Sequence, residues 1–67
     1  MIAFIVMLFD MNDENDPDGV FATLEEAAAY IREQPDQERY SIEEWHGVTF
    51  AHLFDHEGKL LIPTEGG

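Results

Sequence analysis

A chain of 67 residues makes one domain near the lower limit for a self-supporting core, and without cysteine neither a disulfide nor a thiolate zinc site can staple it. Fifteen Asp and Glu stand against three Lys and Arg, a formal net charge of -12. That balance argues against direct binding of nucleic acid or an anionic membrane, because phosphates need Lys and Arg, and it makes a basic protein surface the expected charged partner.

Ile2 to Phe9 is an apolar run rich in β-branched and aromatic residues, ended by Asp10. Its length and composition predict a strand. Both alternating sets are apolar, Ile2, Phe4, Val6 and Leu8 on one side and Ala3, Ile5, Met7 and Phe9 on the other, so the strand is expected to be central and covered on both faces. The run has no basic region before it and is too short to cross a bilayer, so neither a signal peptide nor a membrane span is expected, and the expected compartment is the cytoplasm.

Residues 10–22 read as an acidic loop. The stretch D-M-N-D-E-N-D-P-D-G carries five carboxylates in ten positions, with Pro17 and Gly19 as turn formers. A helix over 23–34 follows. Thr23 is its N-cap and Glu26 completes a capping box, and Glu25 and Glu26 suit the positive end of the helix dipole. Leu24, Ala27, Ala28 and Ile31 form the apolar stripe with Tyr30 at its flank, Glu25, Ala29, Arg32 and Glu33 face water, and Gln34-Pro35 ends the helix.

Residues 39–62 read as strands and hairpins. In Tyr40 to Trp45 the alternation slips: either a bulge at Glu43-Glu44 returns Trp45 inward, or Trp45 covers the second face of the sheet. His46-Gly47 is the expected hairpin turn, Val48, Phe50, His52 and Phe54 alternate through a third strand, and Asp55 to Gly58 turns into a short strand at Lys59 to Ile62. Residues 63–67 are a frayed tail. The fold class is α+β, a single β-α-β-β domain with a short extra strand and one helix packed on one face of a small mixed or antiparallel sheet. One helix covers one face. The other face needs the Leu60 to Ile62 segment, a second copy of the chain in a homodimer, or another partner.

Gly19-Val20-Phe21, Thr23-Leu24-Glu25-Glu26-Ala27 and Tyr40-Ser41-Ile42-Glu43-Glu44 resemble small β-α-β-β domains of unknown function in phages and bacteria. The resemblance covers roughly residues 1 to 46. Its motif is capping and core, so it implies a fold and a phage or prophage setting but no activity.

Residues 14–25, E-N-D-P-D-G-V-F-A-T-L-E, approach the calcium-loop pattern. Glu14, Asp16 and Asp18 would be the first ligands, Val20 would offer a backbone carbonyl and Glu25 a bidentate carboxylate, all hard oxygen donors. Three departures count against it: Glu stands at the first position, Pro17 stiffens the loop, and a strand precedes it. His52 and His56 are four apart with a turn between them, so they need not share a face, and His52 fits a packed, hydrogen-bonded residue better than a metal ligand. With one serine (Ser41), one lysine (Lys59) and little volume for a pocket, enzymatic chemistry is not expected, and no cofactor beyond calcium comes into question. Recognition remains. Asp13, Glu14, Asp16, Asp18, Glu25, Glu26, Glu33, Asp36 and Glu43 would spread carboxylates over a rigid fold, a surface suited to a basic groove built for nucleic acid. The alternatives are the calcium module and a small domain adapted to high salt.

Overall fold

The computed structural model describes residues 1–10 and 15–61. In chain order they form β1 (Ile2–Phe9), β2 (Asn15–Phe21), α1 (Leu24–Arg32), a 3-10 turn (Gln37–Arg39), β3 (Tyr40–His46) and β4 (Thr49–Phe54). The strands make one four-stranded sheet in the order β2-β1-β3-β4, every neighbouring pair antiparallel. The class is α+β, as expected. None of the helices among the described residues is long and apolar enough to cross a membrane.

The element order differs from the expected one. The second half of the stretch read as an acidic loop is a strand, β2, running from Asn15 to Phe21 beside β1. The cause is tertiary. A central strand has backbone donors and acceptors along both edges, and β2 satisfies one edge of β1 despite its poor strand propensity. The residues that signal a turn are tolerated because β2 is an edge strand with a bulge. Its register slips between Val6, which faces Gly19, and Met7, which faces Pro17, leaving Asp18 as the extra residue.

Gly19 has a packing role. A Cβ at that position would stand 2.8 Å from Cε1 of Phe21, so a bare backbone lets the Phe21 ring fold over it. There the ring packs against Tyr30 of α1, centroids 5.3 Å apart. The helix begins where its capping box predicts: the Glu26 N–H donates to Thr23 Oγ1 at 3.1 Å, and Glu26 Oε1 accepts from the Ala22 N–H at 3.3 Å. Ala27, Ala28 and Ile31 from α1 join Val6 and Ile42 as the buried core, with Phe4, Phe21, Leu24, Tyr30, Tyr40 and Phe54 packed around it.

β1 and β3 pair without interruption, Ala3 opposite Trp45 and Phe4 opposite Glu44. Residues opposite each other share a face, so Trp45 lies on the side away from the helix, the second of the two expected arrangements. The irregularity falls in the β3–β4 pair instead, where Glu44 faces His52 but Trp45 faces Phe50. His46 pairs with Thr49, which moves the hairpin turn one residue on, to Gly47-Val48. Gly47 there has φ 65, the left-handed value that a tight hairpin turn asks of its first residue. The short strand expected at 59–62 is reduced to a single bridge, Phe54 to Leu60, with the Leu61 N–H donating to the Leu53 carbonyl at 2.9 Å. Ile62 and the tail at 63–67 lie outside the described residues.

Candidate interaction site

The helix side of the molecule carries a group of exposed acids. Glu25, Glu26 and Glu33 are exposed along α1, and Asp16 and Asp18 are exposed on β2. Asp18 is tied to the helix: the Tyr30 hydroxyl donates to Asp18 Oδ2 at 2.6 Å. That bond, with some burial and the nearby negative charge, holds the phenol proton more firmly than usual. Asp36 is exposed just past the helix. Among the described residues, the ion pairs within 4 Å all join histidine to glutamate, and none involves Arg32, Arg39 or Lys59. Asp13 and Glu14 lie outside the described residues, and Glu43 is on the opposite face of the sheet.

The described residues of the calcium pattern are divided between two elements. Asp16, Asp18 and Val20 are on β2, with Asp18 at its bulge, and Glu25 is in the first turn of α1. No group of three or more His, Cys, Asp or Glu side chains among the described residues is placed to hold a metal ion. The first ligand of the pattern, Glu14, is outside them.

One side-chain cluster was not visible in the sequence. Glu44, its side chain 14% exposed, lies between two histidines, with His46 Nε2 2.5 Å from Oε2 and His52 Nδ1 3.0 Å from Oε1. An ionised carboxylate only accepts, so both nitrogens carry the proton in these bonds. The bond from His46 is the largest influence on Glu44; with the one from His52 it outweighs burial and lowers the carboxyl pKa. The His46–Glu44 spacing of two residues on one strand is a signal, but the contact with His52 needs the β3–β4 register. His52 and His56 do not form a pair: His56 approaches Glu57 at 3.9 Å. In the turn after β4, burial works against the charge of Asp55. The N–H groups of Lys59 and Glu57, 2.9 Å and 2.8 Å from Oδ1, overcome it and lower that pKa too.

These two carboxylates predict an acid limb. A group with a depressed folded pKa contributes stability above its unfolded pKa, about 4.3 for Glu, and loses that contribution as pH falls through the folded value. The difference in unfolding free energy between the native chain and Glu44→Gln is therefore expected to be full above about pH 5 and to shrink towards zero below about pH 4. Urea unfolding at a series of pH values checks this. A difference independent of pH would contradict it.

The face away from the helix is different in kind. β1 contributes Ala3, Ile5, Met7 and Phe9 there, β3 contributes Ser41, Glu43 and Trp45, and the outer strands add Val20, Phe50 and Leu53. Among the described residues Glu43 is its one carboxylate, opposite Ile5 on one side and Leu53 on the other. The Trp45 Nε1–H donates to Glu43 Oε1 at 3.0 Å, and the Trp45 and Phe50 rings meet edge to face at 5.6 Å. Leu60 and Leu61 run along the outer edge of β4 and stay 43% and 42% exposed, so they do not cover this face.

Comparison of the chain with protein-family models, with curated proteins and with solved structures returned no match.

Proposed function

We propose that this chain is a non-enzymatic acidic interaction protein whose helix side occupies a basic groove of the kind that binds nucleic acid. The observation that carries the reading is the clamp between Tyr30 and Asp18. It fixes an edge-strand carboxylate against the helix that bears Glu25, Glu26 and Glu33, making one rigid acidic layer with no Lys or Arg ion pair among the described residues. Glu25 and Glu33 are eight residues apart, roughly 12 Å at the helical rise of about 1.5 Å per residue. B-DNA presents about one phosphate charge per 1.7 Å of axis, so the layer is a sparser array of the same sign. In the phage or prophage setting that the sequence resemblance implies, such a charged surface would serve as an inhibitor of a host defence or DNA-binding protein.

The test is capture of protein from host lysate on the immobilised chain, with elution by salt and competition by duplex DNA. A mimic of nucleic-acid charge loses its partner steeply between about 50 mM and 200 mM salt and yields it to DNA. A domain adapted to high salt instead has no basic partner and folds better as salt screens its own repulsion. Retention of the captured protein unchanged by salt and by DNA would overturn the proposal.

A further inference from the structure

The open face of the sheet has an unusual composition for a surface of a chain with a net charge of -12. Among the described residues it is apolar except for Ser41 on β3, Asn15 at the end of β2 and one carboxylate near its middle, and no Lys or Arg lies within 4 Å of that carboxylate. Glu43 takes the indole N–H of Trp45 on Oε1, and no described group donates to its second oxygen, Oε2. Beside it stand the Trp45 and Phe50 rings, an aromatic corner at 5.6 Å, and Ile5 and Leu53 flank it across the strands.

Two features argue against a second copy of the chain as the occupant. Isologous packing through this face would bring the two central Glu43 carboxylates towards each other near the two-fold axis. Each would lose water without gaining a cation, and an unpaired buried charge costs several kcal/mol. The face is also small. Four strands about 4.8 Å apart and some 20 Å long span only roughly 400 Å² in projection, which puts the accessible area such a face buries at the low end for a stable interface. The same features suit a small apolar segment carrying one cation. Arginine fits best, because its planar guanidinium stacks on an aromatic ring while its N–H groups reach a carboxylate.

We infer that the open face of the sheet docks an apolar segment of a partner protein through one arginine, with Glu43 as its counter-charge and Trp45 and Phe50 as its aromatic wall. This rests on the reading of the chain as an interaction protein and adds a contact on the side away from the acidic helix layer.

Trp45 is the only tryptophan of the chain, so its emission reports on this face alone. The probe is a capped nonapeptide of alternating apolar and serine residues with a central arginine, compared with the same peptide bearing norleucine or glutamate at the centre. The arginine peptide is expected to change the emission saturably, and the norleucine peptide to bind at least about tenfold more weakly, given the size of a hydrogen bond to a charged group. Glu43→Gln should cost the arginine peptide a similar factor and leave the norleucine peptide unaffected; its amide oxygen still accepts from Trp45, and circular dichroism verifies the fold. Glu25→Lys with Glu33→Lys should leave peptide affinity within about threefold, because exposed charges beyond a Debye length are largely screened. Equal binding of the arginine and norleucine peptides, no effect of Glu43→Gln, or no saturable change up to millimolar peptide would each overturn the inference. So would a native dimer in sedimentation that Glu43→Gln tightens, which would make a second copy the occupant. If the peptide fails while lysate capture remains sensitive to salt and DNA, this surface is wrong and the acidic-layer proposal stands; if both fail, both are wrong.

Discussion

Ile42→Ala is expected to remove a large share of the stability of the fold. Ile42 is fully buried in β3, opposite Val6 of β1 and Phe54 of β4, in a core with only five buried residues among those described. Truncating a buried Ile to Ala costs about 2–5 kcal/mol, depending on how far the site collapses. At roughly 0.05–0.15 kcal/mol per residue, a chain of 67 residues has in all about 3–10 kcal/mol to lose. The sheet limits collapse here, because Ile42 is held by strands on both sides. The melting temperature should fall by at least about 8 °C, since each kcal/mol is worth about 4–8 °C in a domain of this size. Ile42→Val, at about 0.5–1.5 kcal/mol, is the graded control. A thermal melt of Ile42→Ala within about 3 °C of the native chain would mean that the core is not where the fold puts it.

Glu25→Lys with Glu33→Lys should abolish capture of a basic partner and leave the domain folded. Each exchange changes the charge by two, so four units in all take the formal charge from -12 to -8. The reversal falls on the exposed side of α1 and spares Thr23 and Glu26, which cap the helix, and Ala27, Ala28 and Ile31, which pack it. A lysine in the first turn costs a few tenths of a kcal/mol against the helix dipole, up to about 1 kcal/mol. Across an interface, a like charge set against a basic groove costs several kcal/mol, enough for a hundredfold loss or more. Glu25→Gln with Glu33→Gln removes charge without reversing it and should fall between. Lysate capture at fixed salt, with far-ultraviolet circular dichroism in parallel, measures both halves. Undiminished capture by the folded lysine variant would remove the helix layer as the working surface.

Much of the fold could be read from local pattern. β1 declares itself by two apolar alternating sets, and α1 by a threonine followed three residues later by glutamate ahead of an apolar stripe. β2 could not be read in this way. Asn15, Asp16, Pro17, Asp18 and Gly19 each favour a turn over a strand, and what makes them a strand is the free edge of β1, a partner that lies elsewhere in the chain. The candidate site divides along the same line. Helix residues such as Glu25 and Glu33 could be placed on an outer face from periodicity alone. That Asp18 joins them depends on a bulge and a hydrogen bond from Tyr30, twelve residues away. The slip in alternation at Trp45 was legible as an ambiguity, and only uninterrupted pairing of β3 with β1 decides it in favour of the open face. The Glu44 cluster needed the β4 register to bring in His52, which a strand read in isolation does not supply.

The place of β1 in the sheet also sets a timetable. It precedes the other strands of the sheet in the chain, yet it needs a neighbour on either side, and they arrive far apart: β2 is complete at Phe21, β3 only at His46. Until then the growing chain can form a two-stranded ribbon at most, a structure marginal in water by itself, with its apolar surfaces exposed. The helix gains little by docking early, because Ile42, which completes the floor beneath Ile31, has not yet been made. Closure of this domain is therefore a late, single event that waits for its third strand, and a nascent chain stalled before residue 40 would present the strand-edge and apolar surface that chaperones recognise.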